Sequence, residues 1–389
     1  MKIKIPKKAA AFTAAAVLLS FAAGFCVSHF LFPNDIKYDR IISLMEKYYL
    51  YDFDRAALKD GANSGAVAAL GDDYSYYYNE EAAADKKQSD AGKAVMLGIM
   101  LSRHPDTNAL TVTYVHSNSP AKKAGIQKGD IITAINGEST DKLSVPDSAA
   151  LIKKEEGAEC TLDILRDNEK MTIKCELFEF IEVSVRYRMI GSIGYIYISG
   201  FDQSTPEQFK NAIGYVNGQN ADSLIIDLRN DLGGLTAALK DTLQSIYPDS
   251  DIVRVKDKNG NISVSERTGS GNEYQNPIVA LTNGYTASSA ELFSLAVREH
   301  GGVLIGDKTY GKGVVQTTYT MWDGSAVKLT TGLLVDKNGE SYNKNGIEPD
   351  VSVPQSDKAQ KYAAFLSDDE DTQLQAAISY LKDKKSAKK

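Results

Sequence analysis

Between about Val183 and Pro354, short apolar β-type runs alternate with segments of helical period, and this alternation constrains the fold more than any other feature. The runs are Ile193–Ile198, Ser223–Leu228, Ile278–Leu281 and Val303–Ile305. Predicted helices over 206–217, 235–246 and 289–299 lie among them. Runs of this kind suit strands buried on both faces. Their alternation with helices sets them side by side in a mostly parallel sheet, giving an α/β core. The pattern before it differs. From Val95 to about Phe180, brief β runs are separated by glycine turns, with one helix near 147–153. Thr161–Arg166 and Lys170–Leu177 read as a hairpin around Asp167-Asn168. That register sets Arg166 opposite Glu169 and Cys160 opposite Cys175. Outside the cytoplasm the two cysteines could form a disulfide; two small apolar side chains face to face is the plainer expectation.

The remainder is helical or polar. Ile41, Ile42, Leu44 and Met45 recur at helical spacing, and an alanine-rich helix from Ala56 to Leu70 stops at Gly71. Residues 81–93 are small and polar and read as a linker or mobile loop. A helix over 371–382 precedes a lysine-rich tail, and there is no internal repeat. At the N-terminus, Lys2, Lys4, Lys7 and Lys8 precede an uncharged run from Ala9 to Phe32, long enough for a transmembrane helix. The lysines put that end in the cytoplasm and the rest of the chain outside it. A small-x-small cleavage site is not evident, which favours an uncleaved anchor over a secreted product. The expected architecture is therefore multidomain α/β. It comprises a membrane segment (1–32), a helical region with linker (36–94), a small β domain (95–180), an α/β core (181–355) and a C-terminal helix with a basic tail (356–389).

Composition excludes several function classes. With 389 residues, 43% hydrophobic and 24% charged, the chain is neither disordered nor a multi-span membrane protein. The net charge is −7 even with four lysines gathered at the N-terminus, so the body lacks the basic footprint that nucleic acid needs. Three cysteines and four scattered histidines show no metal-ligand spacing, and neither metal nor cofactor is expected.

Three segments could carry chemistry. Thr286-Ala287-Ser288-Ser289-Ala290-Glu291 follows a buried strand and opens a helix. Ser288 and Glu291 have capping-box spacing, which by itself only starts a helix. A serine on such a turn could also be a nucleophile, with backbone N–H groups at hand for an oxyanion. No histidine is well placed as its base: His29 lies in the apolar run, His104 and His116 in the β domain, and His300 at the far end of the same helix. Lys312, between Gly311 and Gly313, could serve if burial leaves its amine neutral; otherwise it is a surface lysine. Asp227-Leu228-Arg229-Asn230-Asp231-Leu232-Gly233-Gly234 runs from a buried strand into a Gly-Gly turn that could supply oxyanion donors. Phosphate-loop patterns are absent.

Taken together, these segments resemble the C-terminal processing peptidases, or tail-specific proteases, which are serine/lysine peptidases with an embedded PDZ domain and a crotonase-like α/β core. Leu70-Gly71-Asp72-Asp73-Tyr74-Ser75 resembles the family's LGDPYS. Ser119-Pro120-Ala121, Ala124-Gly125-Ile126, Lys128-Gly129-Asp130-Ile131-Ile132 and Ile135-Asn136-Gly137 resemble a bacterial PDZ core. Asp227–Gly234 resembles DLRNNPGG, with Asp231-Leu232 in place of Asn-Pro. Asn345-Gly346-Ile347-Glu348-Pro349-Asp350 resembles the closing G-I-x-P-D. The resemblance implies Ser288 as nucleophile, with Ser289 as the alternative because Ser289-Ala290 inverts the family's Ala-Ser. It implies Lys312 as base and Gln316 as its assistant, with the chain bending, at Gly313, to bring the last two together. The N–H groups of Ser289 and of Gly233 or Gly234 would form the oxyanion hole. Leu97-Gly98-Ile99-Met100 would hold a substrate's C-terminal carboxylate. Protein or peptide substrates with apolar C-termini follow, and helices 36–70 could pair between two copies of the chain. The rival reading is an anchored PDZ scaffold with a degenerate peptidase unit.

Overall fold

The structure is a computed structural model that describes residues 33–90, 93–152 and 155–386. The expected membrane span lies outside these. Among the described residues no helix is long and apolar enough to cross a membrane. The chain divides into two units at Asn63/Ser64. Helix α1 (Pro33–Tyr48) leaves Ile41, Leu44 and Met45 exposed. Helix α2 (Arg55–Ala68) is followed by Gly71 in the left-handed region, close to the expected stop.

Strand β1 (Tyr76–Tyr78) is followed by α3 (Glu80–Asp90), where the sequence predicts a loop. The correction has a local cause. Asn79 Oδ1 accepts the Ala82 N–H at 3.0 Å, Glu80 and Glu81 favour the helix N-terminus, and three alanines follow. A polar-all-round sequence carries no apolar stripe to announce such a helix.

The β domain comprises β2 (Lys93–Met96), β3 (Ile99–Arg103), β4 (Leu110–Val115), α4 (Pro120–Ala124), β5 (Ile131–Ile135), β6 (Glu138–Ser139), α5 (Val145–Ala150), β7 (Glu159–Arg166), β8 (Glu169–Glu176) and β9 (Phe178–Ile181). β3, β4, β5, β7 and β8 form one antiparallel sheet with β6 on β5, while β2 pairs with β9. The β7–β8 register is the expected one, because Asp167 and Asn168 both take positive φ. Cys160 and Cys175 face each other as free, buried thiols, which burial pushes up to about 11 and about 12.

The core follows: β10 (Val185–Ile190), β11 (Ile193–Ile198), α6 (Thr205–Gly218), β12 (Ser223–Asp227), α7 (Thr236–Leu243), β13 (Asp251–Lys256), β14 (Ile262–Arg267), β15 (Ile278–Thr282), α8 (Ser289–Glu299), β16 (Val303–Gly306), β17 (Val314–Thr320), β18 (Ala326–Val335), β19 (Val351–Ser352), α9 (Asp357–Lys361) and α10 (Thr372–Ser386). The central sheet has the order β10-β11-β12-β15-β16-β19, parallel except for edge strand β10. Alternate residues leave opposite faces. Leu224 and Ile226 pack with Phe209, Leu239 and Phe293 on one side, and Ile225 packs with Leu374, Ala377 and Ile378 on the other. Helix α10, expected over 371–382, therefore packs across this face of the core. The Arg229 guanidinium fixes its start by bridging Asp227 and Asp371 at 2.6 and 2.7 Å. A second, antiparallel sheet (β1-β18-β13-β14, with β17 on β18) went unforeseen, because β1 pairs with residues far along the chain, Tyr76 with Lys328. Since β12, β15 and β16 are parallel, the loops at their C-terminal ends meet along one edge, and these are the three segments singled out above.

Candidate active site

The turn before α8 is pinned to the loop after β12. Thr286 Oγ1 donates to the Leu228 carbonyl at 2.9 Å, and the Ala287 N–H donates to the Asp231 carbonyl at 2.9 Å. Between these anchors and the helix, Ser288 has φ 57° and ψ −118°. An ordinary capping serine is extended, so a strained L-residue here marks a function other than capping. Ser288 is half-buried. Ser289 is fully buried, and its hydroxyl donates to the Gly234 carbonyl at 2.9 Å. Of the two serines, Ser288 is the one an incoming molecule can reach.

Glu291 does more than cap. Its carboxylate is fully buried and accepts four hydrogen bonds: from Ser288 N–H at 2.9 Å, Thr309 Oγ1 at 2.5 Å, Gly311 N–H at 2.8 Å and Lys312 N–H at 2.8 Å. The Ser288 and Lys312 N–H groups converge on the same oxygen, so one acid ties the two segments together. Burial raises its pKa, and the four donors oppose that rise. Gly311 must be glycine. Its φ is 91°, and a Cβ would stand 2.7 Å from the Gly346 nitrogen. Asn345–Asp350 is thus scaffold: its backbone packs against the Gly311 turn, and Asp350 Oδ2 accepts the Leu304 N–H at 2.8 Å.

Lys312 is half-buried, with its Nζ 4.8 Å from the centre of the Tyr74 ring. Burial holds its pKa below the usual lysine value. Glu291 pulls the other way, and the charge of Lys86 pushes it further down. Lys328 is depressed too, by burial first, then by Lys312 and Lys86. Tyr74 itself is pushed up to about 12 by burial and its hydrogen bond to Tyr310. The β17–β18 register shifts between Val315 and Gln316, leaving Thr331 of β18 as the extra residue, and the Gln316 amide donates to Thr330 Oγ1 at 3.4 Å. Gln316 therefore bonds to Thr330, not to Lys312, contrary to the pairing expected through a bend at Gly313.

The glycine pair also separates into two roles. The Gly233 N–H donates to Asp231 Oδ1 at 2.7 Å, and a Cβ on Gly233 would lie 2.8 Å from both Ser288 Cβ and the Ser289 nitrogen. The Gly234 carbonyl holds Ser289. In the β domain, Leu97 and Gly98 are buried and Met100 exposed. The Leu97 and Gly98 carbonyls accept from Ala121 and His116, and β3, which Ile99 opens, lies beside α5. The described histidines stand apart from these groups: His300 stacks on Tyr247 at 4.1 Å, and His104 and His116 belong to the β domain. Sequence reasoning missed Glu291 as a bridge, Tyr74 as the cover of Lys312, Lys86 as a neighbouring charge, and Asp231. Glu291, Tyr74 and Asp231 lie within the motif segments Thr286–Glu291, Leu70–Ser75 and Asp227–Gly234, whereas Lys86 lies in α3, where a loop was expected.

Comparison with known proteins now decides the family. Residues 192–353 match the family described as Peptidase family S41, and residues 111–166 match a PDZ domain. Carboxy-terminal processing protease CtpA of Bacillus subtilis is 32% identical over 335 residues, covering 84% of this chain and 71% of that one. The chain belongs to the S41 carboxy-terminal processing proteases. Carboxy-terminal processing protease CtpB of the same organism is 28% identical, over 82% of this chain and 68% of that one. The solved photosystem II D1 C-terminal processing protease shares the fold, with TM-score 0.52, 23% identity and coverage of 85% and 92%. The protease is accordingly a serine-type processing enzyme with a PDZ domain.

Proposed function

We propose that Ser288 is the nucleophile and Lys312 its general base. The observation that carries this reading is the strained Ser288 turn, tied to the Lys312 backbone through Glu291. Neutral Lys312 takes the Ser288 proton and the serine attacks a peptide carbonyl. The oxyanion forms against the Ser289 and Gly234 N–H groups; it collapses with cleavage of the peptide C–N bond as Lys312 returns its proton to the departing amine, and water then cleaves the acyl-enzyme. Gln316 joins Lys312 if substrate shifts it from Thr330. The substrate's C-terminus adds as a strand beside β3 with its carboxylate at Leu97–Met100. Residues 9–32 anchor the protease with its catalytic part outside the cytoplasm, and the exposed Ile41, Leu44 and Met45 stripe of α1 pairs two copies.

The test uses full-length protein in detergent and an unfolded protein substrate with an apolar C-terminus, read by mass spectrometry. Ser288→Ala and Lys312→Ala each abolish cleavage; an active Ser288→Ala overturns the assignment. Blocking the substrate's terminal carboxylate as an amide raises KM if the PDZ loop captures it. Because the folded pKa of Lys312 is depressed, activity rises with pH to a midpoint below the usual lysine range of about 10.4. The same depression means that burying this lysine destabilises the fold as pH falls through its folded pKa. Lys312→Met therefore loses cleavage yet raises stability at pH 6, read by thermal unfolding; a variant less stable than wild type at that pH refutes the depressed base.

A further inference from the structure

Asp231 is a fully buried acid that the mechanism above leaves without a role. Its surroundings are specific. Oδ1 accepts the Gly233 N–H two residues on, closing a tight side-chain turn, while its backbone carbonyl accepts the Ala287 N–H beside Ser288. Oδ2 is buried and has no hydrogen-bond partner among the described residues. One acid thus sets the turn that presents Gly233 and Gly234 and also holds the segment that presents Ser288 and Ser289. A carboxylate with one donor and an uncompensated oxygen is a costly thing to bury beside a site where a second negative charge must form. A protonated acid has one oxygen that accepts and one hydroxyl, matching the shape and polarity of the asparagine that the DLRNNPGG pattern has here.

We propose that Asp231 is the positioning residue of the oxyanion hole and that it works as an uncharged acid, so that its ionisation switches the hole off. The proposal rests on Ser288 as the nucleophile. Burial places the Asp231 pKa well above the usual carboxylate range, and only the Gly233 N–H opposes it. Titratable groups on the surrounding elements offer no cation in compensation. Tyr197 on β11 has its own pKa raised, chiefly by burial and partly by Asp227 and Asp231, and Arg186 lies 4.3 Å over its ring. Asp227 and Arg229, on the same strand end as Asp231, are paired to each other and to Asp371. Glu291 on α8 is committed to its four donors. When Asp231 ionises, it draws the Gly233 N–H harder and repels the developing oxyanion. Activity therefore has an upper pH limit set by residue 231 as well as the lower limit set by Lys312.

The test compares full-length wild type, Asp231→Asn and Asp231→Ala, with Tyr197→Phe as control. Cleavage is followed from pH 5 to 10 and thermal unfolding over the same range. Asp231→Asn should keep kcat within about twofold at pH 6 and lose the alkaline fall. Asp231→Ala should lower kcat by at least about tenfold with little change in KM. Tyr197→Phe should leave the alkaline fall in place. Because the folded Asp231 holds its proton to higher pH than the unfolded one, wild type should lose stability relative to Asp231→Asn as pH rises. An alkaline fall that persists in Asp231→Asn, or a stability gap constant from pH 5 to 9, overturns the proposal. Wild type inactive at every pH overturns the Ser288–Lys312 reading instead, and the stability gap still decides whether Asp231 is uncharged.

Discussion

Two buried acids are hydrogen-bonded to the segment that presents Ser288, and their surroundings are opposite. Glu291 has four donors around one carboxylate, drawn from two loops. Asp231 has one donor, from its own loop, and an oxygen with none. Burial pushes both upward, yet only Glu291 has a surrounding built for charge. Burial alone does not determine what an acid does; the number of convergent N–H and O–H groups decides whether it can serve as an anion or must remain an acid. At Glu291 the charge is the brace that fixes the Ser288 turn to the Lys312 loop. At Asp231 the lack of charge keeps the neighbouring space fit for an oxyanion.

The comparison breaks most readily at Glu291. Glu291→Ala strands four buried donors and should cost on the order of 3–5 kcal/mol in urea unfolding, with cleavage lost. A loss below about 1 kcal/mol would mean that water replaces the carboxylate and that the brace is dispensable. Glu291→Gln keeps the shape but turns one acceptor into a donor facing donors. About 1–3 kcal/mol should go, against little or no loss for Asp231→Asn above pH 7. Equal losses in the two amide variants would erase the distinction between the acids. At the small end stands Glu159, an exposed carboxylate paired with Lys174 at 2.7 Å across the β7–β8 hairpin. Lys174→Gln should move stability by less than about 0.5 kcal/mol, because water already solvates both partners.

The contrast also explains what the sequence could reveal. The parallel strands, the helices between them and the β7–β8 register were legible, because periodicity and the Asp167-Asn168 turn are local signals. Ser288 and Lys312 were legible as candidates by their setting among strand ends, glycines and a helix start. Helix α3 was missed because an all-polar helix has no stripe, and with it went Lys86. The pairing of Tyr76 with Lys328, and the cover that Tyr74 gives Lys312, depend on contacts between residues more than two hundred positions apart. Glu291 read as a cap because the spacing that makes a capping box also makes a bridge; only the other three donors, Thr309, Gly311 and Lys312, separate the two. The unpartnered oxygen of Asp231 has no counterpart in sequence at all.

Helix α10 adds a consequence in time. The sheet that carries the catalytic loops has Ile225, Val279 and Ile305 on the face that Leu374, Ala377 and Ile378 cover. A chain made from its N-terminus has Ser288, Glu291 and Lys312 in place long before the residues that cover this face exist, while the PDZ domain, complete by Ile181, can close around its own core much earlier. The enzyme is thus born as a finished recognition module joined to an unfinished blade. That face of the sheet closes only when α10 docks and Arg229 meets Asp371.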